Sequence, residues 1–377
     1  MGPLAGVKVI EIAGLGAAPF ACMMLADMGA DVVRIDRVEG CDAAPETSPL
    51  LRNRRSIALD LKRSGGREVA LAMAERADVL IEAFRPGVAE RLGIGPDACL
   101  ARNPRLIYGR MTGWGQTGPL APTAGHDLNY IGLAGLLHQI GPTGGKPVVP
   151  LNVIGDFGGG GMLLAFGVVC ALWEARQSGR GQVVDAAMID GALSFMSMFF
   201  GFRESGQFAD RTGSHMLGGG AHYYDIYETQ DGRHLAVAAI EPKFYRAFLR
   251  KMGLDDARWR AAGYPAHSAR TVEEDWPALK AELAAVFKAK TRDEWCTLFA
   301  DSDLCVTPVL TLQEAALHPH NRARNAFIAV DGVQQNAPAP RFSRTSPAHP
   351  KAPPKPGSDT QQVLADWGID PKLLSHD

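Results

Sequence analysis

The segment Gly125-His126-Asp127-Leu128-Asn129-Tyr130 sets an imidazole beside a carboxylate directly after a Gly/Pro-rich loop. A second carboxylate, Asp156, stands in Ile154-Gly155-Asp156-Phe157, just ahead of four consecutive glycines. Such groups differ in protonation state near neutral pH, so together they could take a proton from one face of a carbon and return one to the other. Each also has a plain structural explanation, because acidic side chains at a helix start commonly cap it. The glycines shift that balance at Asp156. Four in a row weaken a helix, so the stretch predicts either close helix packing or a ligand lying along bare backbone. Free N–H groups at such a helix start are also expected to hold an oxyanion. Glu241, between an apolar run and Pro242, reads by itself as an unremarkable turn carboxylate.

Cationic residues recur where strands are expected to end. Arg37, Lys62, Arg85 and Arg91 follow such ends, and Arg52, Arg54 and Arg55 form a short run before the third strand. In an open α/β sheet, ligands lie beyond the carboxyl ends of the strands, where these side chains could neutralise phosphates. Gly14-Leu15-Gly16 with Asp36 partly matches a dinucleotide fingerprint, but Pro19 occupies the third glycine position, and a tightened strand-to-helix turn is the expected role. The six cysteines, Cys41 among them, lie far apart in no zinc-like spacing and read as reduced thiols. A formal charge of −2 and a pI near 6.6, with mixed signs throughout, argue against a protein that coats nucleic acid.

These residues need a scaffold. Short β-branched runs at 7–12, 31–35, 57–61, 79–82 and 106–110 alternate with helical patterns at 19–28 and 67–76, the signature of a parallel sheet with crossover helices. The fold class is therefore α/β, with a Rossmann-like large domain and a smaller α+β domain. Residues 162–174 and 187–203 read as apolar helices; the first, extended back to 157, is expected to be buried and too short to span a membrane. The Met- and Phe-rich second fits core packing or a subunit contact better than an acyl channel. The smaller domain opens on a hairpin, 224–228 and 234–240 about an Asp231-Gly232 turn, followed by helices at 244–252, 276–288 and 292–300, the last capped by Thr291. A Pro-rich stretch, 337–357, predicts an extended strap. The N-terminus carries no basic segment of the secretory kind, and a cytoplasmic protein is expected.

The blocks Ala30-Asp31-Val32-Val33-Arg34-Ile35-Asp36, Arg52-Asn53-Arg54-Arg55, Arg85-Pro86-Gly87, Met111-Thr112-Gly113-Trp114-Gly115-Gln116-Thr117-Gly118-Pro119, Gly125-His126-Asp127 and Gly155-Asp156-Phe157-Gly158-Gly159 occur in one order along one chain. With them the chain resembles the class III CoA-transferase family over nearly its whole length, and within it the racemases of 2-methylacyl-CoA thioesters. The resemblance implies an interlocked homodimer. It also implies a large domain at 1–190, a connection at 191–224, a small domain at 225–312 and a C-terminal segment, 313–377, that returns to the large domain. His126 and Asp156 would be the acid/base pair, Glu241 would support the histidine, and Asp127 aligns with the nucleophile of the transferases. Contacts to coenzyme A would fall on Arg37, Leu59, Asp60, Leu61, Lys62, Ala83, Phe84, Arg85 and Arg91, and on Gly125, His126, Asp127, Leu128, Asn129 and Tyr130. Coenzyme A would arrive as part of the acyl-CoA substrate. No separate cofactor, metal, nucleic acid or membrane is implied.

Overall fold

The computed structural model describes residues 2–40, 47–263 and 270–375. Cys41 and the last two residues lie outside them. The chain forms two compact units: Met1–Ala134 with Pro150–Met196 and His320–Asp377, and Gly135–Val149 with Ser197–Pro319.

In the first unit β1 (Lys8–Ile12), α1 (Ala17–Asp27), β2 (Asp31–Asp36), β3 (Arg54–Ala58), α2 (Ser64–Ala74), β4 (Val79–Glu82), α3 (Val88–Arg91), α4 (Pro96–Arg102) and β5 (Ile107–Thr112) follow one another. After α5 (Asp127–Leu133) the chain resumes as a π-helix (Val153–Met162) that runs into α6 (Leu163–Ser178), β6 (Gln182–Ala187) and α7 (Met188–Phe195). The strands make one sheet in the order β3-β2-β1-β4-β5-β6, every neighbouring pair parallel. That is the Rossmann order, with its topological switch between β1 and β4. Because strand side chains alternate, each face of the sheet carries its own core. Ile10, Val33, Leu80 and Tyr108 pack on α2 and α4, whereas Val9, Val32, Ile81 and Ile107 pack on α1 and α6.

Three expectations need correction here. The third strand begins at Arg54 and ends at Ala58, three residues earlier than its apolar pattern suggested. The cause is polar burial: Arg54 pairs with Glu11 at 2.5 Å, and the Ser56 hydroxyl donates to Asp36 at 2.6 Å, so two polar residues face inward. Strand β6 was missed because, as an edge strand, most of its length is exposed and it lacks a continuous apolar run. It takes Ala187, and the single helix expected over 187–203 breaks at Met196 into α7 and α8 (Ser197–Glu204). Finally, the π-helix and α6 together run 26 residues, Val153–Ser178, long and apolar enough by composition to cross a membrane, and only 39% of the most apolar 18-residue stretch is buried. Leu164, Val168, Ala171 and Ala175 face the sheet, while Met162, Phe166, Val169 and Trp173 face outward, so this helix is half-covered rather than buried.

The second unit carries β7 (Tyr224–Glu228), β8 (His234–Ala238), α9 (Pro242–Met252), α10 (Ala257–Ala261), α11 (Arg270–Phe287), α12 (Arg292–Phe299), β9 (Val306–Pro308) and α13 (Leu312–Leu317). The expected hairpin forms, β9 extends it into an antiparallel sheet, and Tyr227, Phe248, Phe287 and Trp295 fill the core. Thr291 caps α12 in a reciprocal box with Glu294. Residues 135–149 join this unit because Gly144 N–H and the Thr143 hydroxyl bond to the carbonyls of Thr212 and Gly213.

The chain then returns through α14 (Pro319–Ala323) and the hairpin of β10 (Phe327–Val330) and β11 (Val333–Asn336) to a stretch without regular elements. This strap bonds to the open side of β3: Lys351 and Asn53 exchange two hydrogen bonds, and Gly357 and Asp359 N–H groups reach Ser56. It ends in α15 (Thr360–Asp366), and the outer edge of the sheet is covered.

Candidate active site

His126 occupies the N-cap position of α5, with extended backbone and an exposed side chain; its own N–H donates to Asn129 Oδ1 at 3.0 Å. Asp127 turns the opposite way and is buried. Its Oδ1 accepts the backbone N–H of Asp156 at 2.7 Å, tying the start of α5 to the first turn of the π-helix. Gly155 makes that tie possible, since a Cβ there would lie 2.6 Å from Asp127 Oδ1. The Asp156 carboxylate is half-buried, accepts from Asn152 Nδ2 at 2.9 Å, and lies 3.3 Å from where a side chain on Gly16 would begin. Gly16 follows β1, and Gly14 abuts Ala83 after β4. The structure therefore places Asp156, with His126 one residue from its Asp127 anchor, at the carboxyl edge of the sheet beside the topological switch, where open α/β folds bind ligands. Burial raises the Asp127 carboxyl above its ordinary value; the Asp156 and Gly155 N–H groups oppose the rise and the Asp156 charge adds to it.

The glycine run resolves in favour of packing. A Cβ on Gly159 would press on Met188 O and Ala192 N of α7, one on Gly160 would meet Ala17 and Met188, and one on Gly191 would come within 1.9 Å of Gly159 O. The π-helix, α1 and α7 thus meet backbone to backbone. The oxyanion role expected at this helix start loses several of its donors too. Asp156 N–H is already spent on Asp127, and the glycines sit within the π-helix, where i→i+5 bonding uses their donors.

The expected coenzyme A residues separate into two kinds. Arg37, Lys62, Arg85 and Arg91 are exposed and follow β2, β3 and β4, strands on one side of and at the switch, and Leu59, Asp60, Leu61, Ala83 and Phe84 form the segments between. Leu128 and Asn129 are also exposed, on α5. Arg52, Arg54 and Arg55 are a different matter. Arg52 is fully buried in a two-pronged pair with Asp27, at 2.5 and 3.0 Å, and also bonds Gln335 and the Asn336 carbonyl. Arg54 is spent on Glu11, and Arg55 on Asp31 and Asp366. They sit at the amino end of β3, so the phosphate role read from their cluster is withdrawn.

The sequence reading also passed over Glu82 and Arg110. Glu82 is fully buried at the end of β4; it accepts the Phe84 N–H at 2.6 Å and Arg110 Nε at 3.0 Å, and Arg110 reaches on to Glu90 at 2.8 Å. Desolvation pushes Glu82 up to about 7 against the pull of the Phe84 N–H and Arg110. Buried charges thus hold the 83–91 segment from beneath, and a lone acidic residue closing an apolar strand was the only signal available.

Glu241 lies in the second unit as the exposed N-cap residue of α9, ahead of Pro242. A cavity of about 510 Å³ in that unit, lined by Leu235, Cys296, Phe299 and the Arg292–Glu314 pair, contains none of the expected site residues. Among the described residues, no three His, Cys, Asp or Glu side chains converge as metal ligands.

Comparison with known proteins bears on this arrangement. The sequence profile of CoA-transferase family III matches residues 4–360. Alpha-methylacyl-CoA racemase of Mus musculus is 46% identical over 370 residues, which span 97% of this chain and 93% of that protein. The Homo sapiens protein of the same name is 41% identical over 369 residues, 97% and 94% of the two chains. The crystal structure of a CaiB/BaiF family protein from Brucella suis superposes with a TM-score of 0.81 at 25% identity, covering 97% of this chain and 99% of that one. Sheet order, the family match over residues 4–360 and full-length similarity converge: the chain belongs to CoA-transferase family III.

Proposed function

We propose that this protein is an α-methylacyl-CoA racemase, interconverting (2R)- and (2S)-2-methylacyl-CoA thioesters. The observation that carries the reading is identity above 40% with two proteins of that name over nearly the full chain. The site supports it, since Asp127 joins the segments bearing an imidazole and a second carboxylate. In one direction neutral His126 takes the α-proton and protonated Asp156 supplies one to the opposite face; in the other direction the roles reverse. Between the two transfers the substrate is an enolate. Asp127 is assigned a positional role, in keeping with its bond to Asp156 N–H. Glu241 is assigned support of the imidazole by the resemblance alone. The exposed cations Arg37, Lys62, Arg85 and Arg91 are assigned to the phosphates of coenzyme A. The reaction as written needs no further cofactor.

We further assign the protein to an interlocked homodimer and to the cytoplasm. An outward row of Met162, Phe166, Val169 and Trp173, with Phe166 and Trp173 about two-thirds exposed at 68% and 67%, supports a subunit contact. The five described cysteines are unpaired, in keeping with a reducing compartment.

Family membership leaves one rival, CoA transfer between carboxylic acids through an acyl-enzyme anhydride on Asp127. Incubation of a single 2-methylacyl-CoA epimer in D2O with no acceptor acid separates the two. Inversion with α-deuterium uptake is expected, lowered on the order of 10²–10⁴-fold by His126→Ala or Asp156→Ala. Inertness until an acceptor acid is added would sink the racemase reading.

A further inference from the structure

The block Met111-Thr112-Gly113-Trp114-Gly115-Gln116 contributes nothing to the proton transfers above, yet the fold holds it from three sides. Thr112 Oγ1 accepts the Gly115 N–H at 3.0 Å, Asp185 on β6 accepts the Gln116 N–H at 3.1 Å, and the Gly113 carbonyl accepts the Ile189 N–H of α7 at 3.2 Å. Trp114 projects from this turn and meets Tyr130 edge-on, with ring centroids 4.8 Å apart at 86°. Tyr130 is buried, its ring lies against Gly113 so closely that a Cβ there would fall 2.0 Å from it, and its hydroxyl donates to the Gly125 carbonyl. Gly125 is enclosed by both rings: a Cβ would sit 2.7 Å from Tyr130 and 2.9 Å from Trp114. The carbonyl that Tyr130 holds belongs to the peptide bond that leads into His126.

From this we infer that Trp114 and Tyr130 are positioning residues, an aromatic clamp on the Gly125–His126 peptide that aims an otherwise exposed imidazole at the substrate α-carbon. The inference rests on the racemase reading and reassigns Tyr130, whose hydroxyl is spent inside the protein, from coenzyme A contact to the histidine's support. Aim matters because a misplacement of about 1 Å can cost on the order of 10²-fold in rate. The peptide leading into His126 is then held at both ends, its N–H by Asn129 Oδ1 and its carbonyl by Tyr130.

The test is Tyr130→Phe, which removes one hydroxyl, with Gly125→Ala as an independent way to wedge the clamp open. Both epimers are assayed in D2O for inversion and for α-hydrogen exchange, alongside KM, CoA binding and Tm. For Tyr130→Phe, kcat is expected to fall about 10- to 100-fold. KM, CoA affinity and Tm should stay near wild type. The distinguishing sign is asymmetry between epimers. With only His126 displaced, the epimer deprotonated by Asp156 should exchange its α-hydrogen faster than it inverts, while the other should do neither quickly. Gly125→Ala should show the same asymmetry. A raised KM with unchanged kcat would make Tyr130 a ligand contact, and equal loss from both epimers together with a lowered Tm would make the clamp purely structural; either overturns the inference. A wild-type enzyme that exchanges no α-hydrogen would overturn the racemase reading, and the clamp with it.

Discussion

Arg52 and Arg91 look alike along the chain, since each is an arginine near a strand of the sheet, yet they do opposite things. Arg52 has no exposure and five hydrogen-bonding oxygens belonging to Asp27, Gln335 and Asn336, so its charge is consumed by the fold. Arg91 is exposed at the carboxyl edge, on the segment that Glu82 and Arg110 support from below. Removing a member of a buried pair strands the other charge, so Arg52→Ala should cost about 3–5 kcal/mol of stability, read as a lower denaturant midpoint. Arg91→Ala should leave that midpoint in place and weaken acyl-CoA binding about tenfold, the scale of one charge-assisted bond to a phosphate, read as KM. An Arg91→Ala protein with unchanged KM would remove it from the coenzyme A site. His126, Asp156 and Asp127 were all legible as residue types with chemistry to offer. What spacing could not reveal is that Asp127 points inward and clasps the Asp156 backbone while His126 points out.

Elements read from hydrophobic periodicity came through where the pattern is apolar. Strands β1, β2, β4 and β5, helices α1 and α2, and the hairpin of β7 and β8 lie within a few residues of their expected bounds. Failures fell where polarity and burial part company, as at β3 with its inward Arg54 and at the mostly exposed β6. The π-helix is a third case. Its glycines announced that bare backbone was needed, without saying whether a ligand or a neighbouring helix required it; the contact of Gly191 with Gly159 answers that. Gly191→Ala forces a methyl against backbone that cannot swing aside, so a loss on the order of 3 kcal/mol is expected. Thermal unfolding checks it: a Tm within a degree of wild type would mean that the π-helix and α7 can part freely. Since Asp156 rides on the π-helix, epimerisation should fall with Tm in this variant.

At the scale of the whole molecule, the strap and α15 complete the first unit by covering the edge of β3 some 300 positions earlier in the chain. A different surface stays open: Phe166, Val169 and Trp173 present a continuous apolar row along α6, the kind of patch that a monomer rarely exposes. The proposed dimer places a partner there. Phe166→Glu combined with Trp173→Glu should convert the dimer to monomer in analytical ultracentrifugation, and an unchanged dimer would move the interface elsewhere. The amino-acid sequence by itself determined the α/β class, the parallel sheet, the strap, the family and the identity of the acid/base candidates. The class, the sheet and the strap follow from local periodicity and composition, the candidates from residue type, and the family from the resemblance that the ordered blocks carry. Only the tertiary structure decided which cations are spent inside the fold, why the glycines are there, which oxygen occupies the Asp156 N–H, and what grips the peptide before His126. Each of those depends on groups far apart in the chain meeting at hydrogen-bond or van der Waals distance, and no one-dimensional pattern records which partner a buried donor finds.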